Sequence, residues 1–417
     1  MAAPAATVAA RTSPFAAFGV RDFRVFWGGF LAYCVSNGIQ GYGLGWLTVQ
    51  LAVRDGVPER GALYLGLVGL SAAIPGLALG LFGGVIADRR DRRVLLVLSQ
   101  AAFAAIGLVL VALVVTDRIG LPWLLVLTAL ISAATSFWVP ARQAIQPRIV
   151  GEKRLMSSFG LNALALNVGA LTGPLIGGLL IVPFGIAGVL LVPAVLFALV
   201  AVVYLALAPQ PTAPEARHAN VITAVIEGLR YVRDEPTVRW LMLLFGVATL
   251  LVRPYGDLLP ALAKAIGTDA VGLSRLLAAV GAGSLLAGFI TASSGSIPRK
   301  GIFVASGFCA AGIALALLAT QTELVPAVAL VVITSFFLMT SSGVIGALLQ
   351  YATPDRLRGR VIGVQSLLIQ GGMPVGTLAL GAAGSAFGVG PALAVAGGAV
   401  ALFSIASLVF VAVLRER

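Results

Sequence analysis

Long apolar segments recur along the whole chain, and short clusters of charged residues and Pro/Gly turns separate them. A helix needs roughly 20 mostly apolar residues to cross a hydrocarbon core about 30 Å thick. The chain offers twelve such segments, which we number as spans 1–12 and which predict an all-α membrane protein. The predicted spans lie at residues 24–53, 62–87, 94–116, 121–140, 155–181, 185–208, 238–264, 271–292, 301–320, 324–350, 359–385 and 389–413.

The composition fits only a membrane environment. Of the 417 residues, 59% are apolar and 11% are charged, whereas about 25% of the residues of a soluble domain are charged. The 28 Lys and Arg and the 16 Asp and Glu residues cannot cover a water-facing surface. The same figures exclude disorder and a collagen-like repeat, and two cysteines within apolar runs argue against a disulfide framework. We expect a protein of the lipid bilayer.

The basic residues predict how the chain is oriented. A net charge of +12 would suggest nucleic acid binding in a soluble protein, but cytoplasmic loops of membrane proteins also collect Lys and Arg. With both termini in the cytoplasm, 22 Lys and Arg lie in cytoplasmic segments and 5 in outer ones. The excess therefore predicts an inner (plasma) membrane protein with cytoplasmic termini, and no nucleic acid partner.

The longest polar interval divides the spans into six plus six. It contains apolar residues from Val221 to Val232 at spacings of four, four and three, which predicts an amphipathic helix lying at the membrane surface. The predicted units are an N-terminal tail at 1–19, a six-helix bundle at 20–208, a linker at 209–237 and a second six-helix bundle at 238–417.

An internal repeat supports this division. Residues 160–179 align without a gap with residues 363–382, which lie 203 positions later. Four glycines of the first segment align with glycines of the second. The amides Asn162 and Asn167 fall on Gln365 and Gln370. Spans 5 and 11 then run in the same direction, so the two halves are predicted to be parallel repeats about an axis along the membrane normal.

The connection between spans 2 and 3 reads Gly84-Val-Ile-Ala-Asp88-Arg89-Arg90-Asp91-Arg92-Arg93. It resembles the signature of the major facilitator superfamily, although Asp91 stands where that pattern usually has Gly. Alone, the segment could be a tight turn with cytoplasmic positive charge, but the six-plus-six layout favours the family. The resemblance implies two pseudo-symmetric six-helix bundles around a central cavity, with rocker-switch alternating access. It also implies a gate in which Asp88 meets the start of span 11, made of Gly84, Asp88, Arg89, Arg92, Arg93, Arg358 and Arg360.

Span 5 carries a second pattern of small residues, which resembles the antiporter motif of the drug-efflux branches of this superfamily. Its members are Gly160, Gly169, Gly173, Pro174, Gly177 and Gly178. Ordinary close packing of helices is the alternative interpretation, whereas the resemblance implies export by exchange. Shorter motifs at 138–148, 227–231 and 253–260 resemble the branch of enterobactin exporters, macrolide efflux pumps and lysophospholipid transporters.

One of the sixteen acids, Asp257, lies inside a predicted span. A charge at membrane depth costs at least about 2.5–3.5 kcal/mol and is functional by default. Arg253 stands one helical turn earlier and can pair with it, either as a locked ion pair or beside a carboxylate that titrates protons. The predicted span 4 contains no Arg, unlike that of many proton-coupled exporters, so proton antiport follows mainly from the span 5 motif.

Amides and aromatic residues inside the spans are the candidate cavity residues, although each could instead tie two helices together. They are Asn37, Gln40, Tyr42, Trp46, Trp138, Asn162, Asn167, Gln350, Gln365 and Gln370. A cavity with little charge suits a large, amphipathic, neutral or weakly charged cargo. The sequence thus predicts an exporter of a drug, siderophore or other secondary metabolite, working as a monomer with protons as the coupling ion. A lysophospholipid flippase and a non-transporting membrane sensor are the alternatives.

No enzyme activity, metal or cofactor is expected. The chain has a single histidine, and its acids do not cluster. The nucleotide-binding pattern Gly-x-x-x-x-Gly-Lys-Ser/Thr is absent from the sequence, so this chain does not encode ATP drive.

Overall fold

The computed structural model describes residues 13–209, 221–293 and 300–410, with the backbone alone at 81–89, 221–224, 292–293, 300 and 409–410. Within these ranges the regular structure is helical, and all twelve predicted spans are present.

The helix bounds follow the chain order. Spans 1 to 4 are Arg21–Arg54, Gly61–Arg89, Arg92–Val115 and Leu121–Val150, and spans 5 and 6 share Leu155–Tyr204. Span 7 consists of Pro236–Leu251 and Tyr255–Ile266, span 8 of Ala270–Ser293, span 9 of Lys300–Leu318 and span 10 of Leu324–Ala352. Span 11 consists of Asp355–Leu367 and Met373–Phe387, span 12 is Val389–Phe410, and the amphipathic helix is Val221–Asp234.

Ten helical segments of the described chain are long and apolar enough to cross a membrane. One of them, Leu155–Tyr204, supplies two spans because Gly185 breaks it with φ 61°, a conformation that favours glycine. An unbroken helix of this length would measure about 75 Å, far more than the bilayer core. The ten segments therefore supply eleven spans, and Arg21–Arg54, which is span 1, is the twelfth. Outward-facing apolar residues such as Leu179, 76% exposed, and Val395, 73% exposed, form the lipid-facing surface.

The main differences from the prediction are in spans 4, 7 and 11. Span 4 was expected to end at residue 140, but it continues through Pro140 and Pro147 to Val150, since prolines are tolerated in membrane helices. Span 7 stops at Leu251 and resumes at Tyr255. Span 11 begins at Asp355 and contains a π-helical turn at Leu368–Gly372.

Glycines allow equivalent helix pairs of the two halves to pack closely. A Cβ atom added at Gly173 of span 5 would lie 2.6 Å from the Cα of Gly38 in span 1. The repeat-related Gly376 of span 11 lies just as tightly against the carbonyl of Leu250 in span 7. The duplicated segments therefore occupy matching places, and each packs against the first helix of its own half.

The helix ends define two faces of the bundle. The basic face holds the connections at 90–91, 151–154 and 353–354 and the amphipathic helix, whereas the opposite face holds those at 55–60, 116–120, 267–269 and 319–323.

The two halves meet toward the opposite face. A Cβ at Gly66 of span 2 would lie 2.7 Å from the Cα of Leu378 in span 11, and one at Gly281 of span 8 would lie 2.7 Å from the nitrogen of Leu171 in span 5. Nearer the basic face, a pocket of about 390 Å³ separates spans 5 and 8. The structure is therefore sealed at the opposite face, and we call the contacts of span 2 with span 11 and of span 5 with span 8 the seal.

Candidate functional site

A central cavity of about 780 Å³ lies between the two halves, within the usual 300–1,000 Å³ of ligand sites. Residues of spans 1, 2, 4, 5, 7, 8, 10 and 11 line it. Both halves therefore contribute walls, and any bound molecule would touch the two bodies that alternating access moves.

The wall from the first half is uncharged, and among its apolar residues it carries most of the polar side chains of the cavity. Span 4 presents Thr128, Ser132 and Thr135 at helical spacing, next to Asn37 and Gln40 of span 1. The Thr128 and Thr135 hydroxyls each donate to a backbone carbonyl one turn earlier, at 2.8 Å. Because these hydrogens are engaged, the hydroxyl oxygens can offer the cavity only acceptors.

The wall from the second half is apolar except at one place. Its apolar lining residues are Leu277, Val280, Leu338, Met339, Ile369 and Met373. The exceptions are Arg253 and Asp257, which are the charged residues among those lining the cavity. Charge in the cavity is therefore confined to span 7.

The break in span 7 places these two residues. Pro254 lacks a backbone N–H and precedes the helix that begins at Tyr255, so Arg253 lies in the turn and Asp257 in the first turn of the new helix. The side chain of Asp257 is exposed to the cavity, and Thr377 Oγ1 donates to its Oδ2 at 3.0 Å. An ion pair between Arg253 and Asp257, one of the two alternatives from the sequence, is not among those that the described residues form.

The candidate residues predicted from the sequence do not all meet in the cavity. Asn37, Gln40, Tyr42, Pro174, Arg253 and Asp257 line it together. Trp46 is buried with Lys264 Nζ 5.0 Å from its ring centroid, and Trp138 stacks on Tyr33. Asn167 lines the pocket between spans 5 and 8, and Gln350 lines one near Arg358. Gln365 is half-buried and Gln370 exposed on span 11, and neither belongs to the cavity lining.

Asn162 has a structural partner instead. Its Nδ2 donates to Gln146 Oε1 at 2.8 Å, and Gln146 Nε2 donates to Ser158 Oγ at 2.8 Å, all in a buried setting. This chain of hydrogen bonds ties span 4 to span 5 outside the cavity.

The variant Asn162→Ala should lower the free energy of unfolding by about 0.6–2 kcal/mol, because it leaves Gln146 Oε1 without its donor. Asn37→Ala is the matched control, since the Asn37 side chain faces the cavity and its removal should leave the melting temperature unchanged. Thermal unfolding of the purified protein in detergent compares the two. Equal melting temperatures would contradict a structural role for Asn162.

Arg142 lies beyond residue 140, where the sequence predicts the end of span 4, and it is therefore not among the predicted site residues. The residue lies inside that helix, with its guanidinium carbon 4.6 Å from the Phe30 ring centroid and 5.2 Å from that of Trp138. Such cation–π contacts contribute about 0.5–2 kcal/mol. The allowance for proline in membrane helices was the signal that could have found it.

Part of the predicted gate lies outside the described side chains, namely Gly84, Asp88 and Arg89. Arg92 is largely buried, and Arg93 donates to the carbonyl of Leu205. On span 11, Arg358 pairs with Asp355 at 2.7 Å and Arg360 with Glu227 of the amphipathic helix. Asp91, the departure from the family pattern, caps span 3 by accepting a hydrogen bond from the backbone nitrogen of Arg93 at 2.8 Å.

The glycines of the span 5 motif divide by what they touch. Gly169, Gly173 and Gly177 lie against span 1, whereas Gly178 lies against Ser274 of span 8, across the seal. A side chain at Gly160 would meet open space. The motif therefore includes contacts within one half and a contact between the halves.

Comparisons with known proteins follow this geometry. A sequence profile described as transmembrane secretion effector matches residues 12–416. The enterobactin exporters of Shigella boydii serotype 4 (strain Sb227) and Escherichia coli O1:K1 / APEC are each 28% identical, over 324 and 323 residues, which is 76% of this chain and 77% of each relative.

Solved structures share the fold. A bacterial homolog of the human lysosomal transporter Spinster, inward-facing and unoccupied, superposes with a TM-score of 0.66 at 17% identity, covering 94% of this chain and 95% of that one. The nucleoside transporter NupG gives 0.70 at 12% identity, covering 93% and 98%. A POT family transporter with a bound thioalcohol-conjugated peptide gives 0.70 at 15% identity, covering 94% and 96%.

Proposed function

The chain belongs to the transmembrane secretion effector family of the major facilitator superfamily, and on that premise we propose that it exports an amphipathic small molecule in exchange for protons. It is a multi-pass membrane transporter of small molecules. The observation that carries the proposal is the central cavity, in which the first half supplies uncharged polar groups, the second half is mostly apolar, and the lining residues include a single carboxylate. A working monomer is part of the proposal, because every wall of the cavity comes from one chain.

We place the basic face, and with it both termini, on the cytoplasmic side of the inner membrane. Positive residues concentrate there, as the positive-inside rule requires. The sealed opposite face then closes the cavity from the outside, so this conformation is the one that loads cargo from the cytoplasm. The domain boundaries at 20–208 and 238–417 describe the two bodies that rock about the cavity.

A phenolic or catecholate siderophore suits the two walls. The acceptor oxygen of Thr135 can receive a phenolic hydrogen, and Arg253 can bind a phenolate or another anionic group. The apolar wall would cover aromatic rings. Enterobactin, the cargo named for relatives at 28% identity, is the first molecule to test.

Asp257 is the proposed proton carrier. An ionised carboxylate at this depth is costly, and a proton arriving from outside neutralises it. In the inward-facing conformation the cavity exposes Asp257, so the proton can leave as cargo loads. Arg253, a few residues away, favours the ionised form and thus the release. The gate residues Asp88, Arg92, Arg93, Arg358 and Arg360 and the span 5 glycines serve the conformational change.

A lysophospholipid flippase is the second candidate. The pocket between spans 5 and 8, lined by Asn167, Ser284, Thr291 and Met339 among others, gives a lipid a lateral approach.

Proteoliposomes test the proposal. We expect inside-out vesicles with an acidic lumen to accumulate iron-free enterobactin, and to lose accumulation when a protonophore collapses the gradient. Movement of labelled lysophospholipid at a rate independent of pH would favour the flippase. Binding of enterobactin without movement of either compound would indicate a sensor and overturn the exporter proposal.

A further inference from the structure

Thr377 of span 11 lies where the cavity carboxylate meets the seal. We propose that Thr377 is the positioning residue through which the protonation state of Asp257 acts on the contact between spans 2 and 11. The inference rests on the proposed proton coupling and extends it, because it says how the charge at one side chain holds the opposite face closed.

The cavity side of Thr377 is a hydroxyl with two acceptors. Thr377 is fully buried, and its Oγ1 lies 3.0 Å from Asp257 Oδ2 and 3.0 Å from the Met373 carbonyl oxygen. One hydroxyl hydrogen can serve only one of them well. An ionised Asp257 takes it, because hydrogen bonds to charged acceptors are the stronger ones. A protonated Asp257 can itself donate to Thr377 Oγ1, and the hydroxyl then donates back to Met373.

The other side of Thr377 is part of the seal. A Cβ at Gly69 of span 2 would lie 3.8 Å from Thr377 Cγ2, and one at Gly66 would lie 3.1 Å from the Thr377 carbonyl oxygen. These distances place Thr377 directly against span 2, at positions where span 2 has only glycine. A change in the hydrogen bond between Asp257 and Thr377 therefore acts on the contact between spans 2 and 11, which is either closed or open.

Few other charges can interfere. Among the residues lining the cavity with Asp257, the titratable ones are Arg253 and Tyr255 of span 7 and Tyr42 of span 1. The lining residues of spans 2, 4, 5, 8, 10 and 11 carry none, and neither does the sequence of span 12 between Val389 and Phe410. Tyr42 is engaged elsewhere, since its hydroxyl donates to the Ala270 carbonyl oxygen at 2.9 Å.

The direction of the effect follows. With Asp257 ionised and no cargo in the cavity, the charge-assisted bond holds Thr377 and keeps the seal closed, which prevents an unloaded transporter from opening outward. With Asp257 protonated, that hold weakens and the seal opens more readily. The π-helical turn Leu368–Gly372 immediately precedes Met373 and gives the outer segment of span 11 a place at which to adjust.

Site-directed labelling tests this inference. Ser132→Cys places a thiol in the cavity, in a background with Cys34→Ala and Cys309→Ala. A membrane-impermeant maleimide applied from the opposite face labels it only when the seal opens. The labelling rate is corrected for the pH dependence of the reagent itself, which is measured on a reduced Cys peptide. We expect the corrected rate to be about tenfold higher at pH 5.5 than at pH 8. This is the change expected when one hydrogen bond to a charged group is lost. Thr377→Val should remove this dependence, and Thr377→Ser should keep it.

Three outcomes separate the ideas. If Thr377→Val keeps the full pH dependence while Asp257→Asn loses it, the inference is wrong and proton coupling stands. If labelling of the protein with native Thr377 and Asp257 does not depend on pH, the proposed coupling through Asp257 fails. It also fails if the Asp257→Asn variant keeps the pH dependence. Should Thr377→Val not fold, Thr377→Ala removes the same hydroxyl with a smaller side chain and carries the same expectation.

Discussion

Asp257→Asn should abolish accumulation of cargo against its gradient while leaving counterflow exchange of cargo intact. Moving one proton down a gradient of one pH unit releases about 1.4 kcal/mol. If one proton is exchanged for each cargo molecule, a gradient of two pH units can therefore sustain a concentration ratio of cargo of roughly 100. Without a group that takes up and releases the proton, accumulation should fall to the equilibrium ratio of about one. The measurement is labelled enterobactin in proteoliposomes with an imposed pH gradient.

The matched control is Asp269→Asn. That carboxylate lies in a connection of the opposite face and accepts a hydrogen bond from the Gly272 backbone nitrogen at 2.8 Å, a role that Asn also fills. Its accumulation ratio should match that of the unsubstituted protein. Full accumulation by Asp257→Asn would remove Asp257 from the coupling mechanism.

Gly173→Ala should destabilise the protein by about 1–3 kcal/mol or more and lower the yield of folded transporter. The added Cβ would lie 2.6 Å from Gly38 Cα and 2.7 Å from its carbonyl carbon. Because these are backbone atoms of a packed helix, spans 1 and 5 must separate, and overpacking of this kind has that typical cost. Thermal unfolding monitored by size-exclusion chromatography measures the effect.

Gly160→Ala changes the same helix and the same motif without this collision, since open space surrounds that position. It should be neutral or stabilising, because Ala is favoured over Gly within a helix by up to about 1 kcal/mol. Gly173→Ala should therefore lower the melting temperature, whereas Gly160→Ala should leave it unchanged or raise it. Equal shifts would show that the close approach of Gly173 to Gly38 contributes nothing.

The twelve spans could be predicted because apolar length and charged boundaries are physical requirements of the bilayer. The orientation of side chains around each helix could not. Lipid and protein interior are both apolar, so a membrane helix has little periodic pattern to tell the two apart. Asn162 and Asn37 look alike in sequence, yet one hydrogen bonds to Gln146 and the other faces the cavity.

Thr128, Ser132 and Thr135 were missed for a related reason. Hydroxyl residues that bond to their own helix are common in membrane spans and carry no distinctive spacing. Thr377 had one available signal, since the 203-residue repeat aligns it with Pro174, which lines the cavity.

The unequal walls of the cavity have a consequence for how such a transporter can diverge. Charge is confined to the second half, whereas the uncharged hydrogen-bonding groups of span 4 belong to the first. Under the proposed coupling through Asp257, substitutions at Thr128, Ser132 or Thr135 can change which molecules are accepted without altering the carboxylate that carries the proton. The two halves that share the 203-residue repeat therefore contribute different side chains to one cavity, and under the proposed mechanism the first half can diverge in cargo contacts while the second keeps the coupling carboxylate.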